Sequence, residues 1–455
     1  MMLRLALRSL TTRPLRSAIL AAGFGLGIGV MVELLGVGEV ILEQAHSPAL
    51  AGGGDVVITS GLGQMTGARF LLKDVLGSAR LREQVSVASP SRSATLYFIT
   101  GEQAVPVAVF GGVPSLQRAV GDPEVAQRPE WRDEPADAAW INPSREDILR
   151  SLDRFHPIPA SSPQPPASRR SSWAEWLYFN GRSPDGGLRF YLSFIATDAD
   201  RDGMRPVFVR LQLDRKGRSS NYTAMGRVHE RDLLAEAPDL DVDGNRVRLV
   251  GSQYRIALAL SDGVTGDIAL DATPGRSLPP MEIHGANGWA SGYVAPVLAG
   301  TLHGHLAVGG ETISVDGLAG YHDHNWGFWD GVHWQWGQVS SGDLSIVYGR
   351  VFPPASVADP DRIPGFFGVL GPDGPIGYST NVTIREENDD GTPRAITVTA
   401  RGERLEVSLR FTVGEIERTE TFLQLGGVYE ATGRAGDRAI AFTARGSAET
   451  FRLRQ

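Results

Sequence analysis

The sequence predicts a mainly β protein whose strands form antiparallel barrels or sandwiches, preceded by one membrane-crossing helix and a small α+β segment. Three observations predict it. Turn signals recur from residue 173 onward, at Pro184-Asp185-Gly186-Gly187, Asp202-Gly203, Lys216-Gly217, Asp243-Gly244, Asp262-Gly263, Pro372-Asp373-Gly374 and Asp390-Gly391. Between them apolar and polar residues alternate, as in Leu188–Ile195, Val207–Leu213, Arg246–Val250, Tyr254–Leu260, Ala395–Ala400 and Leu405–Val413. Near the N-terminus one long apolar run, Ala18–Gly38, is interrupted only by Glu33.

Residues 1–16 carry Arg4, Arg8, Arg13 and Arg16 and no acid. The apolar run behind them is long enough to cross a bilayer and longer than the core of a typical signal peptide. The arginines place the N-terminus inside and everything after residue 45 outside. Gly23, Gly25, Gly27 and Gly29 give small-xxx-small spacing for close helix approach in lipid. They form no dinucleotide fingerprint, because Ile28 stands at the third glycine position and no strand precedes it. Glu33 is costly in lipid and is expected to face a partner helix or water. The alternative is a signal peptide cleaved near Ala49-Leu50-Ala51.

An extracytoplasmic segment, 46–140, follows, with a helical patch near Phe70–Leu81 and strand-like runs at Val85–Pro90 and Ala94–Ile99. Pro114, Pro123, Pro129 and Pro135 break up its end. In the segment 141–170, Asn142-Pro143 opens a short helix with the apolar stripe Ile148, Leu149, Leu152 and Phe155. A Pro-rich linker, 156–166, comes next. The β region divides near residue 330 into two domains, 171–330 and 331–455, which are expected to fold without the N-terminal part.

The totals narrow the function. A net charge of −8 argues against a nucleic-acid partner. The absence of cysteine removes disulfides, thiolate metal sites and cysteine catalysis. No cofactor motif, nucleophile elbow or His-Glu-x-x-His occurs, so no cofactor is expected.

The densest chemistry lies in Gly320-Tyr321-His322-Asp323-His324-Asn325-Trp326-Gly327-Phe328-Trp329-Asp330. Four of the nine tryptophans fall between 326 and 336, more aromatic area than a surface loop needs and suited to the wall of an apolar cavity. On a strand, Tyr321, Asp323 and Asn325 share one face, and His322, His324 and Trp326 share the other. Either face, if buried, must pair its polar groups among themselves or with a ligand. The choice is between a polar knot that pins a barrel end and a ligand or catalytic site.

Other constellations are weaker. Asp198–Gly203 and Asp239–Gly244 imitate the opening of an EF-hand loop, but Val209 and Val250 stand where the closing Glu belongs, so both read as hairpin turns. His303/His305 and His322/His324 are two i, i+2 pairs that would offer four imidazoles to zinc if their strands were neighbours.

The motif GYHDHNWG, with the opening strand Trp173-Ala174-Glu175-Trp176-Leu177-Tyr178-Phe179-Asn180-Gly181-Arg182, resembles the AttH-type and carotenoid 1,2-hydratase (hydroxyneurosporene synthase) family from about residue 173 to the C-terminus. The resemblance implies two lipocalin-like antiparallel barrels and a lipid or isoprenoid ligand. Residues 1–120 resemble the opening of an FtsX/MacB-type ABC transporter permease, though the later membrane helices of such permeases are missing. Together these imply a membrane-anchored, outward-facing protein that binds a hydrophobic small molecule beside ABC transporter subunits.

The alternative is a hydratase. Asp323, its pKa raised by burial, would protonate an isoprenoid double bond, with Tyr321 orienting it and Trp326 or Trp329 facing the cation. The family's hydratases also use a His and a Trp upstream. Here Gly288–Pro296 offers Trp289 and Tyr293, but no histidine at a matching place. The expected ligand-binding set is therefore Trp173, Trp289, Tyr293, His322, His324, Asn325, Trp326 and Trp329, lining a cavity that holds Tyr321 and Asp323.

Overall fold

A computed structural model of the chain describes Leu15 and residues 54–58, 67–78, 81–100, 103–159, 172–215, 217–418 and 422–451. The apolar run 18–38 lies outside the described residues. Among those described, no helix is long and apolar enough to cross a membrane.

The chain forms two compact units. One comprises Met1–Gln64 and Val87–Pro135. Its described part is an antiparallel hairpin, Ser91–Thr100 with Gln103–Gly112, followed by short helices Pro114–Ala119 and Pro123–Ala126. A proline opens each helix, where its fixed φ fits the first turn and no N–H is needed. Asp122 caps the second, its Oδ1 accepting from the backbone of Glu124 at 2.9 Å and Val125 at 3.2 Å.

The other unit comprises Met65–Ser86 and Ala136–Gln455, so residue 171 falls inside it. The helical patch expected at Phe70–Leu81 is shorter, an α turn Ala68–Phe70 and a π-helical stretch Leu71–Leu76 that ends at Gly77. The helix expected at Asn142-Pro143 is Arg145–Leu152. It starts at Ser144 rather than at the proline because Ser144 and Asp147 cap each other. The Asp147 amide donates to Ser144 Oγ at 3.1 Å, and the Ser144 amide to Asp147 Oδ2 at 2.9 Å. The apolar stripe is buried, with Leu149 and Phe155 in one core and Ile148 and Leu152 in another. Arg145 is fastened to Asp74 at 2.6 Å and Arg150 to Asp239 at 3.1 Å.

The rest of this unit is mainly β. Twelve described strands, from Trp173–Arg182 to Ala319–Phe328, make the first sheet. Its edge strands, Arg218–His229 and Leu240–Val242, come together to leave a nearly closed barrel. A Cβ added at Gly226 would meet Val242 Cγ2 at 2.5 Å. Nine described strands, from His333–Ser341 to Arg438–Phe451, curl into a second, half-barrel sheet. Alternation governs both. In Leu405–Arg418, for example, Leu405, Val407, Leu409 and Phe411 are buried while Glu406, Ser408, Arg410 and Thr412 are exposed.

The motif strand Ala319–Phe328 is central in the first sheet. It pairs along its whole length with Trp173–Arg182 and, across two register shifts, with Ala290–Val308. Pro296 lies within the shifted stretch, where its missing N–H costs no ladder bond. Gly292 is required by packing. A Cβ there would lie 2.0 Å from the Trp326 indole, and that ring is pinned by stacking on His156 at 4.0 Å.

Gly292→Ala is therefore expected to destabilise this unit by about 1–3 kcal/mol through overpacking, read as a lower melting temperature. Gly111→Ala, where nothing lies within 4 Å, should leave the melt unchanged.

Candidate functional site

The motif strand presents two chemically opposed faces. His322, His324 and Trp326 point toward the helix-capped end of the barrel. Tyr321, Asp323 and Asn325 point into the seam between the two sheets.

The barrel side is an ion-paired chain. Directly after the helix Arg145–Leu152, Asp153 turns its carboxylate into the barrel. Its Oδ2 lies 2.9 Å from His322 Nε2 and its Oδ1 2.7 Å from His324 Nδ1. The other nitrogen of His324 reaches Glu175 Oε1 at 3.0 Å, and His156 Nδ1 reaches the same oxygen at 2.7 Å. Arg205 stands behind, with Nη1 3.6 Å from Glu175 Oε2 and Nε donating to Glu230 at 3.1 Å. Asp153, Glu175, His322 and His324 are all at 0% exposure. Burial pushes the Asp153 carboxyl up, but the His322 and His324 imidazoles outweigh it and hold Asp153 below the usual carboxylate range. Glu175 is held at about 2 in the same way, against burial, by His156 and His324. Burial pulls His324 down, yet Asp153 and Glu175 raise it to about 9. Buried charges survive here because each has a counter-charge. His156, Glu175 and His324 also have the donor types and spacing, within 4.8 Å of one another, to hold a metal ion. The 2.7 and 3.0 Å contacts of Glu175 Oε1 with His156 and His324 are of hydrogen-bond length.

The seam side has no such compensation. Asp323 Oδ2 accepts from the Tyr321 hydroxyl at 2.7 Å, and Oδ1 accepts from Asn325 Nδ2 at 2.8 Å. The Tyr321 hydroxyl meets that of Tyr293 at 2.8 Å, and Trp336 Nε1, from the second sheet, donates to Tyr293 at 3.2 Å. Also from the second sheet, Gln424 Nε2 donates to the Tyr178 hydroxyl at 3.3 Å, and Trp334 Nε1 to Glu449 Oε2 at 3.3 Å. The rings of Trp176 and Trp329 pack at 4.6 Å, and those of Trp329 and Trp334 at 5.5 Å. Asp323 is 4% exposed, and both of its hydrogen-bond donors are neutral. Burial pushes its carboxyl well above the usual range, and the charge of Glu449 raises it further, against the bonds from Tyr321 and Asn325 and the charge of His324. Burial likewise lifts Glu449 to about 7, against the bonds from Trp334 and Gln424. A protonated Asp323 reverses its hydrogen bond, donating to Tyr321, which in turn donates to Tyr293. A pocket of about 540 Å³ on the second sheet is lined by Trp334, Phe352, Pro354, Glu386 and Thr450 among others, and shares only Trp334 with these groups.

Of the residues expected at the site, Tyr321, Asp323, Asn325 and Tyr293 meet, and Trp329 flanks them. His322, His324 and Trp326 do not join them, because alternation turns them to the opposite face. Trp173 and Trp289 belong to that side too. Trp173 packs edge-on to Phe328 at 5.1 Å, and Trp289 Nε1 donates to the Phe328 carbonyl at 3.1 Å. The four-imidazole arrangement does not form. His322 sits opposite Val297, whereas His303 and His305 lie further along that strand, opposite Ala269 and Asp267. His303 pairs with Asp271 at 3.0 Å. The EF-hand imitations are turns. Asp200 Oδ1 accepts from the Asp202 and Met204 amides at 2.9 and 3.0 Å, and Asp239 binds Arg150.

Sequence reasoning missed Asp153, Glu175, Trp176, Tyr178, Trp336, Gln424 and Glu449. Trp176 and Tyr178 were legible as alternate residues of the opening strand. Trp334 and Trp336 share a face in the same manner. Nothing in sequence pointed to Glu449.

No family model and no curated protein matches the sequence. Among solved structures, the chain is similar to a candidate AttH protein from Nitrosomonas europaea, with 19% identity over 65% of this chain and 99% of that one and a TM-score of 0.43. It is similar to kievitone hydratase from Nectria haematococca, with 15% identity over 66% of this chain and 95% of that one and a TM-score of 0.41. It is also similar to CghA, with 12% identity over 66% of this chain and 97% of that one and a TM-score of 0.46.

The two buried carboxyls should respond oppositely to amide replacement. Asp153→Asn removes the carboxylate that His322 and His324 share, leaving His324 with Glu175 alone, and should cost about 3–5 kcal/mol. Asp323→Asn keeps the shape and removes an uncompensated acid, so at neutral pH the melting temperature should hold or rise. The wild type should also lose stability in alkali. His324 titrates at about 9 against its usual 6.5, so its contribution is complete below pH 6.5 and fades as pH rises through about 9. Thermal melts of the three proteins across that range check both statements.

Proposed function

We propose that the seam is the active site of a hydratase-type enzyme that adds water to a carbon–carbon double bond of a lipid- or isoprenoid-like substrate. The observation that carries this reading is the environment of Asp323. It is a buried carboxyl bonded only to neutral donors, one strand thickness from carboxyls that are fully ion-paired. Two sets of acids whose surroundings push their pKa values apart are what acid–base assignment looks for. An acid that keeps its proton at neutral pH can protonate an apolar alkene, a reaction that needs no charged partner in the substrate.

In this reading Tyr321 and Asn325 fix the Asp323 carboxyl, and Tyr293, held by Trp336, fixes Tyr321. The ring faces of Trp176, Trp329, Trp334 and Trp336 supply a surface for the developing cation. Water then adds to the cation. The cavity beside Trp334 favours a second reading, in which the protein binds and carries an apolar ligand without changing it. The resemblance of residues 173–455 to the AttH and carotenoid hydratase family supports either one.

Squalene, an acyclic isoprenoid, dispersed in detergent with ¹⁸O-labelled water separates the two. The enzyme reading expects the label in an alcohol product with wild type, and at least about 10²-fold less with Asp323→Asn. Equal binding of squalene by both proteins, read from tryptophan fluorescence, with no labelled alcohol from either, would leave the carrier reading.

The membrane anchor and a place beside ABC transporter subunits are also proposals. They rest on the arginine-flanked run 18–38 and on the permease-like pattern of residues 1–120. A reporter fused after Gln455 should be active only outside the cytoplasm, and cytoplasmic activity would refute the topology.

A further inference from the structure

We propose that Glu449 is the second catalytic carboxyl of this site, taking the proton from the water that adds to the substrate while Asp323, on the facing sheet, gives its proton to the substrate carbon. The assignment rests on the acid reading of Asp323 given above. Its basis is where Glu449 stands. On Arg438–Phe451 it is directly opposite Trp336 on one neighbouring strand and Gln424 on the other. Both neighbours reach across to the phenols around Asp323. Trp336 Nε1 bonds Tyr293 at 3.2 Å and its ring packs on Tyr321 at 5.3 Å, while Gln424 bonds Tyr178 at 3.3 Å. Glu449 itself accepts from Trp334 Nε1 at 3.3 Å.

The groups that face Glu449 are neutral donors and other acids. Trp334 and Gln424 come from its own sheet. Tyr178, Tyr191, Tyr293 and Asp323 come from the other, and each of these four feels its charge. Arg182, the cation that reaches this strand, ends on Ser447 at 3.5 Å. Among the described residues, no ion pair neutralises Glu449. The two carboxyls also differ in access to water. Asp323 is buried, whereas Glu449 is half-buried. A base that meets water on the wet side and an acid that keeps its proton on the dry side are the two halves of a hydration.

The step balances. The O–H bond of Asp323 breaks, its proton and the alkene π pair form a new C–H bond, and the adjacent carbon becomes cationic. Water gives a lone pair to that carbon, and the resulting oxonium loses a proton to Glu449. Alkene plus water becomes alcohol, with one proton moved from Asp323 to Glu449. Exchange with water resets both groups after product leaves.

Two measurements on the full chain test this. Infrared spectra over about pH 5–9 follow the protonated carboxyl bands. In wild type one band should vanish near pH 7 and be missing in Glu449→Gln, while the Asp323 band in that variant should titrate at lower pH because a negative neighbour is gone. If Glu449→Gln removes no band, or leaves the Asp323 titration in place, the assignment is wrong. The second measurement uses squalene in deuterated, ¹⁸O-labelled water. Glu449→Gln should still exchange deuterium into squalene, since Asp323 can give and retake a proton, but should incorporate about 10²-fold less ¹⁸O. Glu449→Asp should recover part of that loss, and Asp323→Asn should show neither label. Full ¹⁸O incorporation by Glu449→Gln overturns the role of Glu449 and leaves that of Asp323. A wild type that incorporates no more of either label than Asp323→Asn overturns the acid reading, and the role of Glu449 with it.

Discussion

The contact of Asp153 with His322 and His324 holds the rest of the unit in place. It joins the end of a short helix to the middle of the first sheet, at a depth where an unpaired charge would cost several kcal/mol. Each member is tied further. His324 continues to Glu175 and His156, Glu175 to Arg205, and Arg205 to Glu230. A one-residue slip of the motif strand would turn both imidazoles away from Asp153 and carry Asp323 into the barrel. The register of the strand, and so the position of everything on its other face, is therefore set by this buried ion pairing as much as by apolar packing.

That fixed register allows the seam to hold an acid without a counter-charge. Asp323 is oriented by Tyr321 and Asn325, and the phenols are oriented by Trp336 from the second sheet, so the acid is held from both sheets. An arrangement of this kind costs stability, because burial disfavours the carboxylate more than its hydrogen bonds and the His324 charge favour it. Functional sites commonly combine local destabilisation with a firm scaffold in this way. The result is a buried carboxyl in an aromatic setting, the feature on which the proposed acid role rests.

Much of this was legible in the residues and some was not. Period-two alternation divides Tyr321, Asp323 and Asn325 from His322, His324 and Trp326, and the structure shows the same division. The capped helix with its stripe Ile148, Leu149, Leu152 and Phe155 was equally readable. Trp289 and Trp326 were not separable from Trp334 and Trp336 by abundance alone; only the register of neighbouring strands decides which side of a sheet an indole occupies. Asp153 was invisible because a single acid after a helix has no local pattern.

By itself the sequence determined the strand-rich class, the helix before the barrels and the two-faced motif, because each depends on short-range periodicity, capping and turn chemistry. Only the tertiary structure decided that one face of the motif is a neutralised salt-bridge chain and the other a seam between two sheets. Asp153 lies 169 residues from the His322 it neutralises, and Glu449 joins the seam only when the strands of the second sheet bring Trp334, Trp336 and Gln424 beside it. Whether a carboxyl is charged or neutral depends on which groups surround it in space. Those groups arrive from strands whose order in the sheet no local pattern specifies.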